Sequence, residues 1–261
     1  MKICGQHLIA VYIFGGAAKG YFSKDVSDVD LLFIVSDDCS DEDVSMLENR
    51  LVRLEAKYGI LQTDKVDLLY YAFQVSLFKS HYILRLKNLQ EMDSSSMFSA
   101  GKGFKLLKYN IKLFDSIVTS RLMMRNILKE SRILCGQDVL KQMTTQPTTS
   151  TAVVSIFLVS WILSMFGFIS SMFSRSGTRF SLEALKWYLH NIYSTLNDET
   201  TTIKQSINYA LSKHLLPRSF FIKFLEIRNT YSPNLAFCAV TPLCLLIAHA
   251  RVNRHLRHVK S

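Results

Sequence analysis

Residues 8–35 read LIAVYIFGGAAKGYFSKDVSDVDLLFIV, and this stretch decides the fold. It holds two runs rich in β-branched and aromatic residues, 8–14 and 29–35, each the length of a buried strand. The first run stops at Gly15-Gly16, and Gly20 closes a small loop, Gly-Gly-Ala-Ala-Lys-Gly. Beyond the second run, residues 36–40 are polar and predict a turn. Ser40, with Asp43 three residues on, has the spacing of a helix cap, and Asp41, Glu42 and Asp43 suit a positive helix N-terminus. Val44, Leu47, Leu51, Leu54 and Tyr58 then recur at helical spacing, which predicts an amphipathic helix over about 41–58. A third strand is expected at 65–71. From about residue 76 the pattern turns helical, with Leu77 and Leu84 in one helix and further helices at 102–113 and 115–135. The fold class is therefore α+β, a mixed sheet with flanking helices followed by a mainly α-helical region.

Ser27-Asp28-Val29-Asp30 opens the second strand. Side chains alternate along a strand, so Asp28 and Asp30 project from one face a pleat repeat apart. Carboxylates that close repel unless a cation sits between them. Asp67, in Val66-Asp67-Leu68-Leu69, completes a trio if its strand pairs beside the second. Hard oxygen ligands of this kind suit Mg²⁺, which also takes oxygens from phosphates. A pair of such ions activates an attacking hydroxyl and stabilises leaving pyrophosphate. Gly15 and Gly16 let a backbone come close to a triphosphate with its N–H groups turned to the phosphate oxygens. Lys19 and Lys24, in or near that loop, offer positive charge to the β- and γ-phosphates. The bland reading makes the glycines a tight turn and the aspartates polar residues at a strand entrance.

At these residues the chain resembles the nucleotidyltransferase superfamily that includes DNA polymerase β, and most closely its small prokaryotic branch of minimal and aminoglycoside nucleotidyltransferases. The pattern there is a Gly-Gly or Gly-Ser pair, a spacer, Asp-x-Asp on a strand and a third Asp on a later strand. Gly15, Gly16, Asp28, Asp30 and Asp67 fill those places over about residues 8–75, with a weaker echo at 134–138, Leu-Cys-Gly-Gln-Asp. Where relatives often have Ser after the first Gly, this chain has Gly16. The resemblance implies a metal site of Asp28, Asp30 and Asp67 holding two Mg²⁺ ions, with Mn²⁺ as an alternative. It also implies a nucleotide site of Gly15, Gly16, Lys19 and Ser27. The implied reaction moves a nucleoside monophosphate, by default AMP from ATP, to a hydroxyl acceptor. That acceptor is a small molecule in one reading and a protein side chain in another, as in antitoxin-like relatives. The non-catalytic alternative is a degenerate nucleotide-binding or membrane-associated protein. Glu130, Asp138 and Glu183 are candidate acceptor-side bases, and nothing in the sequence chooses among them. His81 and His190, and the aromatics Trp187, Tyr188 and Tyr193, read as packing or surface residues.

Domains are expected at 1–143 and 152–261, joined by the uncharged TTQPTTST of 144–151. The formal net charge of +10 is uneven: residues 1–75 carry 7 Lys/Arg against 12 Asp/Glu, and residues 76–261 carry 24 against 9. Such a basic remainder suits a polyanionic partner, yet no nucleic-acid-binding module is recognisable. It also argues against a strongly cationic acceptor. Five cysteines, an odd number with no CxxC pair, read as thiols in a reducing compartment. No secretion-signal pattern opens the chain, so cytoplasm is the default location. Mean hydropathy is +0.15, and residues 142–174 and 229–250 carry no charged side chain. Each is long enough to cross a bilayer, which keeps a membrane association open. The preferred expectation is a helical domain built around 152–169 as its central helix, with further helices at 181–196 and 203–213. Pro242 is expected to break the second apolar segment.

Overall fold

The computed structural model describes residues 7–20, 29–58, 81–87, 127–143, 150–199 and 201–260. The chain divides into two compact units, one reaching Pro147 and one running from Thr148 to Ser261.

In the N-terminal unit, β1 (Leu8–Phe14) leads through a short helical turn, α1 (Gly15–Ala18), toward β2 (Asp30–Val35). The loop expected at Gly15-Gly16 is thus one turn of helix, with Gly20 beyond it at φ +76°. Helix α2 (Asp41–Lys57) follows the turn as its cap dictates: Ser40 Oγ accepts from the Asp43 N–H at 3.0 Å and donates to Asp43 Oδ2 at 2.8 Å. Strands β3 (His81–Arg85) and β4 (Arg132–Gly136) complete a four-stranded sheet in the order β3-β2-β1-β4. Both lie in segments read above as helical, a misreading. Five-residue runs such as HYILR and RILCG carry no period long enough to tell helix from strand. Their partners decide them, β3 pairing parallel to β2 and β4 antiparallel to β1.

The sheet buries both faces. Ala10, Tyr12, Phe14, Leu32, Ile34 and Leu84 face one way, under Ile127 and Leu140. Val11 and Phe33 face the other way, onto Leu51 of α2. Alternation along β1 and β2 produces both layers.

The C-terminal unit is helical: α3 (Ser150–Ser171), α4 (Gly177–Asn197), α5 (Ile203–Ser212), α6 (Arg218–Asn229) and α7 (Leu235–Lys260). Its centre is α4, which packs against α3, α5 and α7 and buries residues all round, including Phe180, Leu185, Tyr188 and Ile192. The expectation that 152–169 would be central is corrected: α3 leaves one side exposed, because composition measures how apolar a helix is and not how many neighbours it has. The α3–α4 corner is tight, since a Cβ at Gly167 would press on Ser181 and one at Gly177 on Ser171. Helix α5 starts with a complete capping box, Thr202 with Gln205. Helix α7 runs through Pro242 instead of breaking there. The neighbouring Thr241 hydroxyl donates to the Phe237 carbonyl at 2.7 Å, and Asn234 N–H and Cys238 Sγ tie the first turns to Thr178 of α4.

Candidate active site

The site is built where β1 ends and β2 begins. The antiparallel register sets Phe14 opposite Asp30, so the residue after Phe14 falls directly beside the Asp30 carboxylate. That residue is Gly15, at φ +67°. An L-residue disfavours this conformation, and a Cβ here would collide with Asp30 Oδ2. Two independent constraints therefore demand glycine at one position, and both serve the meeting of loop and carboxylate. Asp30 shares its face with Leu32 and Ile34, at the rim of the cluster formed with Tyr12 and Phe14. Tyr82, opposite Leu32 on β3, lies on the same face and packs its ring on Phe14 at 5.8 Å between centroids.

Gly15 and Asp30 are thus brought together as the sequence suggests. Gly16 lies within α1 and does not share Gly15's positive φ. Ser27, Asp28 and Asp67 lie outside the described residues, as does Lys24. The neighbour that the sequence reading assigned to the Asp67 strand, the second partner of β2, is β3. Among the described residues, β2 has β1 on one side and His81–Arg85 on the other, and β3 carries no carboxylate. Among the described residues, no cluster of three or more His, Cys, Asp or Glu has metal-site geometry.

Lys19, one turn past Gly15, forms an ion pair with Glu130 at 2.6 Å, and the two side chains are only 17% and 4% exposed. Its charge is therefore already partnered within the fold. Glu130 closes the helical residues 127–130, whose Ile127 packs on the Asp30 face of the sheet. The other candidate bases are partnered too. Asp138 accepts from Tyr12 Oη–H at 3.1 Å and faces Lys141 at 3.4 Å. Glu183 lies 2.6 Å from Lys186 and 3.7 Å from Arg228.

Sequence reasoning missed two interactions in this unit. The Tyr12 hydroxyl, buried on the Asp30 face, also accepts from the Leu140 N–H at 3.3 Å. Burial, followed by the charge and hydrogen bond of Asp138, holds this phenol above its ordinary pKa. On the opposite face, His81 Nδ1 meets Glu55 Oε1 of α2 at 2.6 Å, both nearly buried. The only signal for that pair was two polar residues at core positions, and it needed β3 to be recognised as a strand.

Residues 2–88 match the nucleotidyltransferase domain family. The chain carries a nucleotidyltransferase domain. Among solved structures, it is similar to the spectinomycin adenyltransferase of Enterococcus faecialis, crystallised with ATP and spectinomycin. That similarity has a TM-score of 0.57 at 14% identity and covers 97% of this chain and 94% of the other. Likeness at this identity is one of fold, and it extends through the helical unit as well as the nucleotidyltransferase domain. No curated protein matches the sequence. The Gly15–Asp30 contact falls inside the matched segment.

Proposed function

We propose that the chain transfers AMP from ATP to a hydroxyl of a small molecule, with pyrophosphate leaving. The observation that supports this best is Asp30 seated against the bare backbone of Gly15. A carboxylate beside main chain without a side chain is a hard oxygen donor next to a place where phosphate oxygens can come close. Such a donor set suits a divalent cation shared between protein and triphosphate. Asp28, Asp30 and Asp67 would hold the ions, Mg²⁺ by preference and Mn²⁺ as a substitute. When bound, the ions neutralise charge on the triphosphate and favour ionisation of the attacking hydroxyl.

The chain's own residues would do the rest. The backbone at Gly15 and Gly16 and the Ser27 hydroxyl would orient the triphosphate. The acceptor oxygen forms its bond to the α-phosphorus as the α–β bridging bond breaks. Pyrophosphate leaves with that electron pair, and the hydroxyl proton passes to a carboxylate or solvent. Lys19, neutralised by Glu130, fits a role in fixing the α1 turn better than one in gripping the γ-phosphate.

Charge narrows the acceptor class. Residues 148–261 hold four acidic side chains, Glu183, Asp198, Glu199 and Glu226, against twelve Lys and Arg. Glu183 is committed to Lys186 and Arg228, and Glu226 to Lys223. A polycationic acceptor needs free carboxylates to replace its lost water, and this unit supplies few. A neutral or anionic acceptor fits better. The test is incubation with ATP labelled at the α-phosphorus, Mg²⁺ or Mn²⁺, and fractions of neutral, acidic and basic metabolites. Label should enter a neutral or acidic small molecule and vanish with chelator. Absence of label in every fraction, with no pyrophosphate released, would refute the reading.

A further inference from the structure

The helical unit presents an apolar face that its own core does not use. Helix α3 has no charged residue over its whole length, and no Asp, Glu, Lys or Arg occurs between Asn229 and Ala250. Both α3 and α7 contain stretches long and apolar enough to cross a membrane, Val153–Ser171 and Leu235–Leu256. Each packs against α4 and against the other. They run antiparallel: Phe157, early in α3, stacks on His249, late in α7, at 4.2 Å, while the start of α7 is tied to Thr178 just beyond the end of α3. Three mutually packed helices leave the side of the α3–α7 pair remote from α4 open. On α3 that side carries Val154, Leu158 and Ile162, spaced four apart; on α7 it carries Val240, Leu243 and Ile247. All six are large apolar side chains between 38% and 60% exposed.

The character of the α7 stripe changes at its C-terminal end. Continuing with helical spacing from Leu243 and Ile247, the exposed positions become Arg251 and Arg254. Arg251 also donates to the carbonyls of His214 and Leu215, which holds the stripe to the unit. Arg257 and Lys260 follow in sequence, and no acidic residue occurs after Glu226. An apolar face ending in a basic cluster is the pattern of a surface that settles into the headgroup boundary of an anionic bilayer. A protein partner would need apolar contact alone along most of the stripe; anionic lipid answers both halves of it.

We propose that the α3–α7 face docks on anionic lipid membranes, lying in the interface and not crossing it. Crossing is disfavoured by the buried polar side chains Ser160, Ser164 and Thr241 on the two helices, which pack against α4. Helix α4 carries Arg179, Glu183 and Lys186 and cannot follow its neighbours into hydrocarbon.

The test is sedimentation of the full chain with vesicles of phosphatidylcholine, alone or mixed with phosphatidylglycerol. The protein should pellet with the mixed vesicles and be released by high salt, and stay in the supernatant with phosphatidylcholine alone. Leu243→Glu with Ile247→Glu should lower the bound fraction at least ~10-fold, and Arg254→Glu roughly 5-fold. Lys204→Glu, the same charge change on α5, should leave binding nearly unchanged. Both α7 variants alter exposed side chains, so retained helical circular dichroism is expected; should the double variant misfold, Arg254→Glu alone decides. The proposal is overturned by supernatant recovery with both vesicle types, or by equal losses from Lys204→Glu and Arg254→Glu, which would mean attraction by net charge. It is overturned equally by a lipid-free dimer that the double variant splits, which would make the face a contact between two copies.

Discussion

Gly15→Ala is the perturbation whose consequences the geometry specifies most fully. Holding an L-residue in the left-handed region costs about 1–2 kcal/mol. The new methyl also meets Asp30 Oδ2, so the carboxylate must leave its position; an off-rotamer side chain costs about 0.5–1.5 kcal/mol. Alanine restricts the unfolded chain, which returns roughly 0.4–1 kcal/mol. The net loss is about 1–2 kcal/mol, or roughly 3–8 °C in the melting temperature of a unit this size. Activity should fall further than stability, because displacing a metal-binding carboxylate by about 1 Å costs on the order of 100-fold.

Gly16→Ala supplies the contrast. Gly16 lies in the α1 turn without a positive φ, and alanine suits a helix better than glycine by roughly 1 kcal/mol. Thermal unfolding followed by circular dichroism, with transfer of label from ATP measured below the transition, separates the two variants. Gly15→Ala should lower both readings while Gly16→Ala leaves the melting temperature unchanged or higher. Wild-type activity and melting in Gly15→Ala would show that Asp30 is not held against the loop, and the site as described would be wrong.

Asp30→Asn should abolish transfer with little change in melting temperature, since the amide keeps the size and shape of the carboxylate but not the charge a divalent cation requires; retained turnover in Mg²⁺ would exclude Asp30 as a ligand. Lys19→Met and Glu130→Gln, each stranding a nearly buried partner, should destabilise by about 3 kcal/mol singly and by much less together. Additive losses in that double-mutant cycle would deny the pair its coupling. Stability should also fall in alkali. Burial raises the phenols of Tyr12 and Tyr188 above the usual value of 10.0. Their contribution is complete below pH 10 and is lost as pH climbs toward the folded-state values. Urea midpoints that stay flat through that range, with Tyr12→Phe behaving like wild type, would contradict it.

Much of this fold can be read from local pattern. Strands β1 and β2 announce themselves as apolar runs ended by glycine or a polar turn, and α2 carries its cap and its period on its face. Helix α5, expected at 203–213, spans Ile203–Ser212, whereas α4, expected at 181–196, starts earlier, at Gly177, where Ser176 makes no side-chain cap. The features that match are legible because each depends on residues within a few positions of one another. The fit of Gly15 to Asp30 was half legible: the motif named both residues, but their contact depends on the Phe14–Asp30 register, which closes a loop of fifteen intervening residues.

What could not be read is what depends on a distant partner. Residues 132–136 are exposed along their whole length, so no buried face marks them as a strand, and only pairing with β1 makes them one. The same holds at the other edge. The sequence shows that Asp67 lies in a run of strand-forming residues, but strand propensity says nothing about which neighbour a strand takes. A parallel neighbour for β2 can come from any downstream segment once a crossover of a dozen or more residues separates them. Both 65–71 and 81–85 meet that condition, and β2 pairs with the latter. Side-chain alternation therefore fixes which face Asp30 occupies, while the residues that complete its surroundings are set by topology. That is why one carboxylate of the trio is anchored by register and the identity of its companions has to be tested at Asp28 and Asp67 themselves. A single substitution at each, Asp28→Asn and Asp67→Ala, should cost transfer several orders of magnitude if both share metal with Asp30. If Asp67→Ala kept wild-type transfer while Asp28→Asn and Asp30→Asn lost it, the third ligand would have to come from elsewhere in the chain, and the parallel strand beside β2 would be the reason.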